Sequence, residues 1–299
     1  MIKRTLYFGN PAYLSKKDSQ LKVKKPDEEG ESSIPIEDIG IVIIDNPQVT
    51  LTQGILTSLL SNNSAVITCD KRHMPQGMLL NLDSGHIQSE MYAEQINASE
   101  PLKKQLWQQT IKAKIFNQAS LLKRKRIPIT NMTHWAKKIR SGDPDNYEGR
   151  AAAYYWNNLF PKMLEFKRDK DGEAPNQLLN YGYAILRAVT ARALAASSLL
   201  PTLGIHHSNK YNAYCLADDI MEPYRPFVDN IVYTIVRNGE DFYELSTSIK
   251  KQLLEIATVD VVIDDKKSPL MVGMQRTTAS LSKCFSGELR KINYPVFPN

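Results

Sequence analysis

The apolar positions of this chain change their period once. Up to about residue 85 the pattern is that of strands. Ile2–Phe8 alternates weakly and carries Thr5, Tyr7 and Phe8; Gln20–Lys24 sets Leu21 and Val23 between lysines, as a half-exposed strand does. Ile39–Ile44 is a β-branched run that predicts a strand buried on both faces, and Ala65–Thr68 predicts a second. Gly77–Leu82 reads as a last strand, and the charged, glycine-containing Lys25–Ser33 as a hairpin loop. One helix is expected here, Thr50–Leu60, with Leu51, Ile55 and Leu59 four apart and Asn62-Asn63 ending it.

From about Ser89 the period is helical. Ser99-Glu100-Pro101 is a start signal, a serine cap with glutamate and proline in the first turn. Leu102, Leu106, Ile111, Ile115, Ala119 and Leu122 then form an apolar stripe. Lysines and arginines, Lys112 and Lys114 among them, are expected to decorate the solvent face. Further helices are predicted at Glu148–Phe160, Asn176–Leu200, Ala213–Arg237, Asp241–Thr258 and Pro269–Lys291, the last opened by Ser268-Pro269. The tail Asn293–Asn299, with two prolines, is expected to be loose. The fold class is therefore α+β: a small N-terminal β-sandwich over residues 1–85, then a larger all-α domain over residues 86–299.

Composition narrows the setting. Over 299 residues Lys+Arg exceed Asp+Glu, 38 against 32, a net charge of +6 that suits a polyanion partner without demanding one. The three cysteines, Cys69, Cys215 and Cys284, are odd in number and contain no Cys-x-x-Cys, which points to a reducing compartment and away from structural zinc. No apolar run is long enough to span a membrane, and no leader-like apolar stretch follows the first residues, so a cytoplasmic protein is expected. Glycine-rich phosphate loops and a nucleophile elbow are absent.

Three polar pieces of the helical part stand out. They are Tyr147-Glu148-Gly149-Arg150, His206-His207, and Asp218-Asp219-Ile220-Met221-Glu222-Pro223-Tyr224-Arg225. Only 5 histidines occur, and two sit side by side. At helical spacing Glu222 can share a face with Asp218 or Asp219, and crowded carboxylates need a cation or protons. Oxygen ligands with one imidazole suit Mg²⁺ or Mn²⁺ acting on phosphates. Each piece alone has a plainer reading. Glu148 can oppose a helix dipole, a histidine can bond a loop carbonyl, and acids can be solvated or capping. Adjacent histidines point apart, so at most one of the pair is a ligand. Pro223 disfavours helix at Glu222 and predicts a kink there. Arg150, Arg187, Arg192, Lys210 and Arg225 lie near these pieces in sequence and could neutralise a DNA backbone.

Taken together the pieces resemble the CRISPR adaptation integrase family, in the variety found with type II systems. The resemblance spans Ile34–Ile39, Tyr147-Glu148 with Ala151–Tyr155, Asn180–Leu186, and Gly204–His207 followed by Leu216–Arg225. It implies metal ligands at Glu148, at His207 (three residues after Gly204) and at Glu222. Asp219 corresponds to an acid that serves some members as a further ligand. It also implies homodimers formed through the β-domains, two of which flank a dimer of a small ferredoxin-like adaptation subunit in a heterohexamer. An RNA-guided effector nuclease and an accessory adaptation protein can join.

The implied activity is metal-dependent integration and endonuclease cleavage. The 3′-hydroxyl of a captured double-stranded DNA fragment attacks a phosphodiester at the CRISPR repeat. Two other readings stay open: a structure-selective repair nuclease without integration, and a non-catalytic DNA-binding scaffold.

Overall fold

The computed structural model describes residues 3–26, 28–81 and 87–298. The expected strand start at Ile2, the strand end at Leu82, the boundary residues 83–86 and Asn299 lie outside them.

Among the described residues, eight strands, one α-helix and a 3₁₀ turn at Ile36–Asp38 build the N-terminal part. The strands and the helix are β1 (Arg4–Phe8), β2 (Ala12–Lys17), β3 (Gln20–Lys24), β4 (Ser32–Pro35), β5 (Ile39–Ile44), β6 (Val49–Leu51), α1 (Gln53–Ser61), β7 (Ala65–Cys69) and β8 (Pro75–Leu79). They form two four-stranded sheets, ordered β1-β5-β7-β8 and β4-β3-β2-β6. In the first, β1, β5 and β7 run parallel and β8 is antiparallel to β7; in the second only the β2–β6 pair is parallel. The long apolar run of β5 is explained by its place. Val42 packs with Leu14, Leu21, Val23, Ile55, Leu59 and Val66 inside the sandwich, while Ile41, Ile43 and Ile67 join the core of the helical part. Strands β4 and β6 are too short for alternation to reveal them, and β2 is interrupted by lysines at its end.

The second part is carried by α2 (Gln88–Ile96), α3 (Glu100–Arg124), α4 (Thr130–Lys138), α5 (Tyr147–Leu159), α6 (Asn176–Ala196), α7 (Cys215–Met221), α8 (Arg225–Arg237), α9 (Thr247–Leu254) and α10 (Leu270–Phe285). The helix α6 is the spine, buried along most of its length and packed on α7, α8, α9 and α10. Gly182 permits this: a Cβ there would lie 2.4 Å from Val228 Cγ1 of α8. The part is mostly helical, with one addition. Strands β9 (Asp260–Ile263) and β10 (Lys266–Pro269) form an antiparallel hairpin; Ser268-Pro269 ends β10 and Pro269 also stands at the N-cap position of α10, without a side-chain cap. Among the described residues no helix is long and apolar enough to cross a membrane.

The tail is not loose. Ile292 and Phe297 are buried, Phe297 against the Phe227 ring, and Val296 N donates to Val262 O. Asn117 of α3 fixes it further: its Nδ2 donates to Pro295 O at 2.9 Å and its Oδ1 accepts from Phe297 N at 2.9 Å. A proline-containing segment has no periodicity to announce docking, and here Asn117 is one of several partners that hold it.

Candidate active site

The three polar pieces converge on α3. Glu148 stands in the first turn of α5, where Asp143 accepts from the Tyr147 and Glu148 amides and Asn146, in a left-handed conformation, caps with its side chain on Gly149 N. The capping reading of this acidic stretch thus holds for Asp143 and Asn146, which frees Glu148 to point elsewhere. It meets Lys114 of α3, Nζ to Oε1 at 2.6 Å.

Glu222 sits where α7 gives way to a 3₁₀ turn, Glu222–Tyr224, before α8 begins. Pro223 breaks the α pattern at the expected place, although Glu222 keeps a helical backbone (φ −51, ψ −46). The turn is held from α3, since Asn117 Nδ2 also donates to Pro223 O at 2.7 Å. Glu222 Oε1 accepts from Arg225 Nε at 2.9 Å, and Arg225 lies over the Tyr183 ring. Lys114 Nζ is also 2.7 Å from Glu222 Oε2, a charge-assisted contact, so one ammonium serves an oxygen of each glutamate. Burial alone would raise the Glu222 carboxyl; Arg225 and Lys114 outweigh it and hold it at about 2. Burial likewise opposes the charge on Lys114, but Glu222 and Glu148 prevail and keep the ammonium above its ordinary value.

The histidines divide their work. His206 stacks on Trp107, ring centroids 4.1 Å apart and nearly parallel, and is not aimed at the carboxylates. His207 Nδ1 makes a short hydrogen bond to Asp219 Oδ1, leaving Nε2 for other partners. That contact is the leading reason why the His207 imidazolium is held above its ordinary value, and His207 is close enough for its charge to lower Glu222 as well. The turn before it is built around Asp219, which is fully buried and accepts from Ile205 N at 2.8 Å, His206 N at 2.9 Å and His207 N at 3.3 Å. Gly204 is required by closeness: a Cβ there would meet His207 O at 2.3 Å and Asp219 Oδ2 at 2.8 Å.

The other sequence candidates scatter. Asp218 is taken by Arg187, which bonds it through Nε at 2.7 Å and Nη2 at 3.1 Å, and by Asn212. Arg192 does not belong with DNA contacts. It is 5% exposed, its Nε donates to Asn63 O of the sandwich, and burial lowers it to about 10. Arg150 and Lys210 are exposed, each over a tyrosine ring, Tyr147 and Tyr211. Sequence reasoning missed Lys114, placing it on the solvent face. It is 8% exposed and lies on the same side as Ile111 and Gln118, three and four residues away. The signal was present: Lys114, Asn117 and Gln118 fall within the arc of the apolar stripe, where polar residues need a partner.

Two cavities open beside these groups. One, of about 160 Å³, is lined by Lys114, Gln118, Trp156, Arg168, Glu222 and Arg225 among others. Another, of about 380 Å³, includes Gly204, His207, Lys210 and Cys215. Among the described residues no three His, Cys, Asp or Glu side chains are drawn together to metal-ligand distance. Lys114 stands between the two carboxylates instead. The donor set still fits a hard divalent ion, because two carboxylates converge on one small cation and an imidazole with a free Nε2 lies alongside.

The family model described as CRISPR associated protein Cas1 matches residues 6–244. The CRISPR-associated endonuclease Cas1 of Neisseria meningitidis serogroup C (strain 8013) is 35% identical over 283 residues, 94% of this chain and 91% of the relative. Among solved structures, a casposase bound to integration product superposes with a TM-score of 0.79 at 20% identity, covering 98% of this chain and 92% of that one. A Cas6-RT-Cas1–Cas2 complex gives a TM-score of 0.73 at 21% identity, covering 97% of this chain and 35% of that one.

Proposed function

The chain belongs to the CRISPR associated protein Cas1 family, and from that premise we propose that it is the DNA integrase and endonuclease of CRISPR adaptation, of the variety that accompanies type II systems. The observation that carries this reading is the convergence of Glu148 and Glu222, from separate helices, on one buried cation with His207 beside them. The full-length 35% identity to a relative named as a Cas1 endonuclease supports it.

In this reading Glu148, the Nε2 of His207, and Glu222 hold a divalent ion, Mg²⁺ or Mn²⁺, which when bound supplies Lewis-acid polarisation of a phosphate oxygen. Asp219 positions His207 and fixes which ring nitrogen faces the ligands. Arg225 keeps the Glu222 carboxylate ionised and oriented. Arg150, Arg187 and Lys210 lie on accessible surface near the site and suit backbone phosphates of double-stranded DNA. The 3′-oxygen of the captured fragment forms a new bond to phosphorus at the repeat border. The bond from that phosphorus to the target strand's 3′-oxygen breaks, and the departing oxygen takes up a proton. With water as nucleophile the same displacement is hydrolysis, the endonuclease reaction.

The division into residues 1–85, a dimerisation domain, and 86–299, a catalytic and DNA-binding domain, is part of the proposal. So are the homodimer, the small ferredoxin-like subunit of the heterohexamer, the effector nuclease and accessory protein as further partners, and cytoplasmic residence. The likeness to a chain from a complex named for Cas1 and Cas2 favours the small-subunit partnership.

An integration assay tests it. The purified chain with its small partner is incubated with a short duplex bearing free 3′-hydroxyls and a supercoiled plasmid carrying the repeat, in Mn²⁺, Mg²⁺ or EDTA. Metal-dependent joining in wild type that is lost in His207→Ala, with DNA binding kept, is the expected result. Cleavage without joining would favour the repair nuclease, and binding with neither would leave the scaffold.

A further inference from the structure

Lys114 is the buried group that neither composition nor the ligand set accounts for. Its ammonium is 2.6 Å from Glu148 Oε1 and 2.7 Å from Glu222 Oε2, and its side chain is 10% exposed. Two carboxylates brought this close repel unless a cation lies between them. Glu222 has a second cation in Arg225, but nothing else is paired with Glu148 at ion-pair distance among the described residues. The one ammonium thus serves a carboxylate oxygen on each side.

We propose that Lys114 is the resident counter-ion of the carboxylate pair. It holds Glu148 and Glu222 together in the metal-free protein and is exchanged for the divalent ion when that binds. The inference rests on the metal-ligand reading of Glu148 and Glu222 given above. Its physical content is a competition. The ion must displace an ammonium already in place, so Lys114 preorganises the ligands and at the same time lowers the apparent affinity of the site. No covalent bond of the protein is made or broken in the exchange: the ammonium's contacts to the two carboxylates give way to coordination of the divalent ion. Lys114 is thus a positioning residue, and its role shows in metal affinity and in metal-linked stability rather than in rate alone.

The test measures Mn²⁺ binding by titration of the free-ion EPR signal, and thermal unfolding with and without Mn²⁺, on the full chain. The variants are Lys114→Met, Glu148→Gln and the double variant. Lys114→Met is expected to bind Mn²⁺ at least tenfold more tightly than wild type, and to melt at lower temperature in EDTA. Its Mn²⁺-induced rise in Tm should exceed that of wild type. Adding Glu148→Gln should restore metal-free stability, because it removes one of the two like charges, and should abolish the gain in affinity. If Lys114→Met does not fold in EDTA, the proposal requires that Mn²⁺ recover its fold; a variant unfolded in both buffers overturns it. Equal or weaker Mn²⁺ binding by a folded Lys114→Met also overturns it. If Glu148→Gln leaves wild-type Mn²⁺ affinity unchanged, the ligand assignment itself fails, and with it the premise.

Discussion

Lys250 and Lys114 are both buried ammonium groups facing carboxylates, and their surroundings differ in one respect. Lys250 of α9 meets Asp45 at the end of β5, Nζ to Oδ2 at 2.7 Å, where the sandwich rests on the helical part. Asp45 is otherwise complete: Tyr7 Oη donates to it and His73 Nδ1 contacts its second oxygen at 2.9 Å. One cation serves one carboxylate whose remaining valences are filled. At Glu148 and Glu222 one cation serves two carboxylates, and among the described residues nothing else is paired with Glu148 at ion-pair distance. A closed network specifies how two parts of a fold sit together. An open one can trade its cation for another. Asn117 ties the Glu222 turn to α3 and to the tail.

The largest effect should follow from opening the closed network. Lys250→Met leaves the Asp45 carboxylate buried and without its ammonium, which costs on the order of 3–5 kcal/mol. Urea unfolding of the full chain checks this, and Mn²⁺ should recover none of it. Recovery by Mn²⁺ would erase the distinction between the two lysines. Next in size is the tail. Phe297→Ala removes a buried ring packed on Phe227, and the loss should be about 3 kcal/mol in the same assay. A loose tail would give a change within about 0.5 kcal/mol, the range of ordinary surface substitutions.

What could be read from the chain, and what could not, follows the same division. The strands β5 and β7, the long helices α3 and α6 and the break at Pro223 were legible because each rests on a local period or a local steric rule. The docked tail and the burial of Lys114 were not, because each is decided by distant partners: Asn117 for Phe297, Val262 for Val296, Glu148 and Glu222 for the lysine. The β9–β10 hairpin is local, but its four-residue strands are too short for alternation to reveal them. For the site, residue types and spacing brought the three polar pieces together around a metal, and the resemblance chose Glu148, His207 and Glu222 within them. The structure adds the physical reason for preferring His207: its neighbour's ring is stacked on Trp107, while its own is oriented by Asp219. Arg192 shows the converse error, since nearness in sequence said nothing about which side of α6 it would face.

A third buried acid sharpens the contrast through pH. Asp229 of α8 has no lysine; Tyr155 and Tyr183 donate to it, and burial still pushes its carboxyl up to about 6. The folded state then keeps a proton that the unfolded chain has released, between the ordinary value of 3.8 and about 6. Stability therefore falls as pH rises through that window, by about 3 kcal/mol in total. Asp229→Asn removes the titrating group. Its stability relative to wild type should improve by roughly that amount from pH 4 to pH 7, measured by urea unfolding. A difference that stays flat with pH would mean that the buried carboxyl is ionised throughout, as Asp45 and Glu222 are.

The smallest effects on stability belong to cations that have no buried acid to serve. Arg150 and Lys210 are exposed, and replacing either by alanine should change unfolding free energy by less than about 0.5 kcal/mol. Their expected contribution lies in DNA binding. If each neutralises one phosphate, each substitution lowers the slope of log affinity against log salt by about 0.9, uniformly across DNA sequences. Arg192→Met should do the reverse, because its guanidinium is buried on the Asn63 carbonyl: the salt slope stays as in wild type while stability drops by about 1–3 kcal/mol, the cost of leaving a buried acceptor without its donor. Fluorescence anisotropy of a labelled duplex between low and moderate salt separates the cases. An unchanged slope in Arg150→Ala and Lys210→Ala would remove both from the interface; a reduced slope in Arg192→Met would mean that DNA binding opens the contact between the sandwich and α6.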